Sequence, residues 1–261
     1  MRKKFIAGNW KMYKSPKETK EFFAAFAKEM DASESVKKAI ADGVEDVAFF
    51  VPSISLTTAI EAAENMPLII GAENAHWEKC GAFTGEISVP MVAEVKASHV
   101  LIGHSERRHI FHETNEETNK KMHAVTDGGL RAVLCVGETL EERESGKAHD
   151  VIKGQFLDGL KNFDAHTTAE KVIIAYEPVW AIGTGKTASA QDAEEICKFI
   201  RDLASDTFGT ECAEKLLILY GGSVKPENTA SIMSEADIDG VLVGGASLKA
   251  ESFIKIAENA L

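Results

Sequence analysis

The sequence predicts a closed (β/α)8 barrel: a parallel sheet of eight strands with helices on its outside. Three observations predict it. Eight short apolar runs recur along the 261 residues, amphipathic stretches separate them, and the series fills the roughly 250 residues such a barrel needs. The runs lie at 5–7, 47–51, 68–70, 100–102, 132–136, 172–176, 216–220 and 241–243. They are unbroken rather than alternating, as expected of parallel strands buried on both faces. The intervening stretches, such as 19–30, 115–126, 190–204 and 247–261, repeat apolar residues at helical spacing. In the last of these, Ala250, Ile254, Ala257 and Leu261 share one face. Strict alternation of strand and helix implies a parallel sheet covered by helices. No Pro/Ser-rich linker interrupts it, so residues 1–261 are expected to form one domain.

Apolar and charged fractions of 44% and 27% are those of an ordinary globular protein. A net charge of −12 argues against nucleic-acid or anionic-membrane partners but leaves room for a small anion held by a local positive field. No apolar run approaches the roughly 20 residues of a membrane span, and Met1-Arg2-Lys3-Lys4-Phe5 does not open a signal peptide. Cys80, Cys135, Cys197 and Cys212 form no CxxC pair and have no metal-site spacing. Cys135 and Cys197 are expected to be buried free thiols. A cytoplasmic protein without a metal is the expectation.

Five of the eight apolar runs end in unusual chemistry, and in a parallel barrel all strand C-termini open onto one face. Asn9 and Lys11 follow the first run, His104 the fourth, Glu177 the sixth, Gly221-Gly222-Ser223 the seventh and Gly244-Gly245 the eighth. Pro178 keeps Glu177 out of helical geometry. Gly183 and Gly185 beyond it can absorb large backbone changes, so Glu177 has the position of a base beneath a hinged loop. The glycine pairs after strands seven and eight suit a phosphate, because backbone N–H groups can approach an anion there. His104 precedes a turn of helix whose positive end disfavours an imidazolium, so a neutral ring is expected. His109 and His112, three apart, are expected on one helix face with no metal-ligand company.

Two motifs mislead. Gly185-Lys186-Thr187 resembles the tail of a nucleotide-binding P-loop, but Trp180 stands where that motif requires glycine. His112-Glu113 is followed by Glu116 instead of a second zinc-binding histidine. The strand-end glycines alone would suit any phosphate-binding barrel enzyme.

Taken together, Gly8-Asn9-Trp10-Lys11, Gly81-Ala82-Phe83-Thr84-Gly85-Glu86, Gly103-His104-Ser105-Glu106-Arg107-Arg108 and residues 175–186, 220–224 and 242–247 closely resemble the triosephosphate isomerase family over the whole chain. The resemblance implies a TIM barrel that interconverts dihydroxyacetone phosphate and glyceraldehyde 3-phosphate in glycolysis and gluconeogenesis, without metal or cofactor. It assigns proton transfer to Glu177 and carbonyl polarisation to His104. Lys11 would supply positive charge, with Asn9 and Glu106 in support. Phosphate would be held by backbone N–H groups of Gly183, Ser223, Gly244 and Gly245. Pro178, Trp180, Ile182 and Gly185 would belong to a lid that excludes water before proton transfer. Ile182 would face Leu242 across Glu177, and Tyr220 and Ser223 would hold the closed lid.

The family resemblance further implies a homodimer. Thr84 would meet Asn9 of the partner, and Glu86 would pair with Arg107 across the interface. Three departures from the pattern stand out. Tyr13 is bulkier than usual at a position expected to face the partner. Val51-Pro52-Ser53 lacks a double proline, with structural consequences only. Glu73 replaces the usual Gln near the interface, and burial without a cation would raise its pKa.

Overall fold

The computed structural model describes residues 2–181 and 188–261. Its strands are β1 (Lys4–Asn9), β2 (Glu45–Val51), β3 (Ile69–Ala72), β4 (His99–Ile102), β5 (Arg131–Val136), β6 (Val172–Tyr176), β7 (Leu217–Tyr220) and β8 (Gly240–Val243). They pair in parallel in chain order, and β8 returns to β1 to close the barrel. Sequence periodicity locates all eight; β3 begins one residue later than expected and extends two residues further.

The unbroken apolar strands serve two cores, because successive side chains point to opposite faces. Phe5, Ala7, Phe50, Leu101, Val133, Ile173, Leu219 and Leu242 fill the barrel interior. Ile6, Phe49, Ile102, Leu134, Ile174 and Val243 face outward into the layer beneath the helices. Phe49 is the centre of that outer layer. Its ring lies 5.1–5.4 Å from Phe22, Phe23 and Phe26 of the helix Pro16–Ala32, and 4.7 Å from Phe253 of the helix Ala250–Ala260.

Capping residues set the helix boundaries. Ser15 and Glu18 form a reciprocal capping box that starts Pro16–Ala32, and Ser189 with Asp192 does the same for Ala190–Phe208. Two expectations are corrected. The last helix begins at Ala250 instead of 247, because Ser247 turns back and donates to the Gly244 carbonyl at 2.7 Å, inside a 3-10 turn Gly245–Leu248. His112 does not share a helix face with His109: that helix, Ser105–Ile110, has already ended, and His112 has φ +58°. Among the described residues no helix is long and apolar enough to cross a membrane.

At the strand N-termini one carboxylate ties the closure together. Asp239, directly before β8, accepts from Arg2 Nε at 2.5 Å, Arg201 Nη2 at 2.6 Å and the Ile218 N–H at 2.9 Å. Its carbonyl also takes the Phe5 N–H at 3.0 Å, so β1, β7, β8 and a helix converge on one residue. Removing one partner of such a buried ion cluster costs about 3–5 kcal/mol, since the remaining charges stay buried. Asp239→Asn is therefore expected to lower unfolding stability by about 3 kcal/mol, read as the denaturant midpoint at fixed protein concentration.

Candidate active site

The residues singled out by the strand-end pattern come together at the C-terminal mouth of the barrel. Asn9, Lys11, His104, Glu177, Ser223 and Leu242 line one cavity of about 350 Å³, together with Gly244 and Gly245. They arrive by five strands, β1, β4, β6, β7 and β8.

Glu177 directly follows β6 and is 2% exposed. Its N–H donates to the Val136 carbonyl at 2.7 Å, and the next strand's Gly221 N–H donates to the Tyr176 carbonyl at 2.7 Å. Gly137 must be glycine at this junction: a Cβ there would lie 1.8 Å from the Glu177 carbonyl oxygen. Two N–H donors reach the carboxylate. Ser105 N–H reaches Oε2 at 3.0 Å, and His104 Nε2 lies 2.8 Å from Oε1.

His104 is the N-cap of the helix Ser105–Ile110, with extended ψ of 144°. Its Nδ1 accepts the Glu106 N–H at 3.2 Å, which leaves Nε2 to carry the proton toward Glu177. The expectation of a simply neutral ring needs correction in this arrangement. Burial opposes the imidazolium most strongly, yet contact with the Glu177 carboxylate raises the His104 pKa above its ordinary value. Burial likewise pushes Glu177 up, but His104 and the Ser105 N–H outweigh it and hold Glu177 below the usual carboxylate range. Beneath the pair, burial first and Glu177 second push the Cys135 thiol up, so it stays protonated.

Lys11 adopts φ +56°, a left-handed conformation that costs a non-glycine residue about 1–2 kcal/mol. Asn9 supports it by accepting the Lys11 N–H at 3.0 Å through its side chain. This explains why the two residues stand two apart. The ammonium then pairs with Glu106 Oε1 at 2.5 Å.

Beyond Glu177 the chain is anchored as far as Ala181. Pro178 accepts the Ala181 N–H at 2.8 Å in a 3-10 turn. Trp180 Nε1 and Tyr176 Oη donate to Glu138 Oε1 at 2.8 and 3.1 Å, and Arg143 stacks on Trp180 at 4.9 Å. Ile182, Gly183 and Gly185 lie outside the described residues. Tyr220 is buried in the layer beneath the helices, its ring 6.3 Å from Tyr176. Sequence reading missed Gly137 and Glu138, although Gly-Glu ends the fifth apolar run much as other polar pairs end theirs. It also missed Lys225, an exposed cation lining the cavity beside Ser223.

Three of the five residues expected at an interface line a second cavity of about 350 Å³, adjoining the first through Asn9, Lys11 and His104. Glu73, Glu86 and Arg107 line it, with the exposed Met12 and Phe111. Thr84 is exposed on a loop whose base is pinned by a 2.7 Å bond from His76 N–H to the Ile87 carbonyl. Arg107 pairs within the chain, with Glu113 at 2.6 Å. Tyr13 lines the first cavity, beside Ser223 and Lys225. Burial lifts Glu73 to about 8, and its Oε1 has no hydrogen-bond partner.

Known proteins resemble this chain over its length. The family profile described as triosephosphate isomerase matches residues 4–260. Triosephosphate isomerase of Carboxydothermus hydrogenoformans is 51% identical over the full length of both chains. That of Streptococcus pneumoniae is 47% identical over 98% of each. The crystal structure of triosephosphate isomerase from Bartonella henselae superposes with a TM-score of 0.86, at 39% identity and 98% coverage of both chains. The chain belongs to the triosephosphate isomerase family.

Proposed function

We propose that the chain, as one domain spanning residues 1–261, interconverts dihydroxyacetone phosphate and D-glyceraldehyde 3-phosphate through an enediolate, as a cytoplasmic homodimer. The isomerase activity follows from family membership across the full chain. The assignment of roles rests on one observation: Glu177, His104, Lys11 and the glycine-rich strand ends share a single cavity.

Glu177 is the base that moves a proton between neighbouring carbons. In the present arrangement it is engaged by His104 and Ser105, so it must release them to reach a substrate. That release also settles the protonation of His104. Without the carboxylate beside it, burial and the helix N-terminus both favour the neutral imidazole, whose Nε2–H can donate to the developing enediolate. Lys11 offsets the charge of phosphate and enediolate. Ser223, Gly244 and Gly245, with Gly183, present backbone N–H groups to the phosphate. Leu242, 2% exposed, gives an apolar wall beside Glu177 that raises its basicity once water is excluded. The dimer is supported by exposed apolar side chains around the second cavity, Met12 at 95% and Phe111 at 66% exposure.

Mixing the protein with glyceraldehyde 3-phosphate should yield dihydroxyacetone phosphate. Glu177→Gln should reduce that rate by at least about 10²-fold, the usual scale of general-base catalysis, with the fold intact by circular dichroism. Near-normal turnover in this variant would remove Glu177 as the base.

Glu177 should remain ionised at pH 4.5 in the free protein, because its pKa is depressed. Replacing His104 by Ala removes the main opposing partner and leaves burial dominant, so the carboxyl should then be more than half protonated at that pH. Isotope-edited infrared spectroscopy, with Glu177→Gln as the reference, reads the carboxyl band directly. An ionised Glu177 in both proteins would show that His104 does not hold the charge.

Glu73 carries a raised folded-state pKa of about 8. The native state therefore binds the extra proton, and stability falls as pH rises from the unfolded carboxylate value near 4.3 toward 8. Glu73→Gln should raise the melting temperature at pH 8 and change it little at pH 4.5. An unchanged or lower melting temperature at pH 8 would mean that the assembled protein supplies Glu73 with a partner.

A further inference from the structure

The opposite end of the barrel carries an unmatched cation. A cavity of about 470 Å³ at the strand N-termini is lined by Arg2, Lys3, Asp46, Arg131, Glu214 and Lys215. Four cations face two carboxylates there, in a protein whose net charge is −12. All but one of these cations have partners. Arg2 bonds Asp239 at 2.5 Å and Glu214 at 3.2 Å, Lys3 bonds Asp46 at 2.6 Å, and Lys215 bonds Glu211 at 3.0 Å.

Arg131, the first residue of β5, is the exception. Its side chain makes no hydrogen bond or ion pair among the described residues, and its Nε is fully buried without a partner. His99, its register neighbour on β4, also has a buried ring nitrogen, Nε2, with no partner. Burial first, and Arg131 second, push His99 down to about 3, so the ring is neutral and offers no counter-charge. The carboxylates that act on Arg131, Asp46 (already held by Lys3) and Glu170, do so through space, without a hydrogen bond. A guanidinium partly withdrawn from water needs an anion, and its fork of donors matches an oxyanion bidentately.

We propose that this cavity binds a free tetrahedral dianion, inorganic phosphate or its analogue sulfate, with Arg131 as principal donor and Lys3 and Lys215 at the rim. Several donors reaching in from the approach to β1, from β5 and from the approach to β7 suit a group that accepts on several oxygens. The site lies at the other end of the barrel from Glu177 and is independent of the isomerase roles assigned above.

Calorimetric titration of inorganic phosphate at low ionic strength provides the test. Wild-type protein should bind one more phosphate per chain than Arg131→Gln, with turnover equal in the two. The difference of one site carries the test, so it holds whatever the catalytic end binds. Equal stoichiometry would overturn the proposal. In phosphate-free buffer Arg131→Gln should melt no lower than wild type, because an uncompensated cation has been removed. A lower melting temperature there would make Arg131 a structural residue and sink the idea. Wild-type crystals soaked in tungstate provide a readout that needs no variant: density against Arg131 is expected, and its absence refutes the site.

Discussion

A carboxylate that is 2% exposed sets the terms for the whole C-terminal mouth of this barrel. Burial of Glu177 opposes its charge, so the surroundings must supply donors and position, and they come from three strands. β5 supplies the Val136 carbonyl that takes the Glu177 N–H. It also leads into Gly137, whose missing Cβ leaves room for the Glu177 backbone. β7 leads into Gly221, whose N–H holds the Tyr176 carbonyl. From β4 come His104 and the first N–H of the following helix. The site therefore depends on the order of the sheet: residues 72 positions apart, Ser105 and Glu177, meet because β4, β5 and β6 are neighbours in register.

Closure of the barrel is maintained from the other end. Arg2, Arg201, Ile218 and Phe5 all meet at Asp239, where the last strand returns to the first. The two ends use charge differently. At the N-terminal end the Asp239 cluster is satisfied by its own hydrogen bonds and serves to join elements. At the C-terminal end Lys11 keeps one partly exposed carboxylate partner, Glu106, and a strained backbone. A cation so held remains within reach of an incoming anion, and the Asn9 side chain offsets part of the strain that places it there.

Much of this was legible in the sequence because the barrel couples two simple periodicities. Unbroken apolar runs marked strands buried on both faces, and the polar residues ending them marked the open mouth. The discrepancies have physical causes. β3 reaches beyond its apolar run because it continues through Gly71, where a Cβ would lie 2.6 Å from the Phe50 ring, so the interior volume belongs to Phe50. The last helix starts late because Ser247 is buried and bonded back to Gly244 instead of capping. Gly137 passed unnoticed because its need for glycine arises from a strand 40 residues away, Glu177 being its neighbour only in space.

The protonation of His104 was illegible for a deeper reason. The local cue, a helix N-terminus behind the ring, is correct: Nδ1 accepts the Glu106 N–H, and the dipole disfavours a second proton. A contact invisible in the sequence reverses the balance, since Nε2 lies 2.8 Å from the Glu177 carboxylate. The two groups are one titrating unit, and the charge on each depends on where Glu177 points. While they touch, the histidine strengthens as a base and the carboxylate weakens as one. Separating them removes the mutual contribution: burial then favours a more basic Glu177 and a neutral His104 ring, which can donate a hydrogen bond. On the roles proposed for them, one movement of one side chain would therefore prepare both partners for proton transfer.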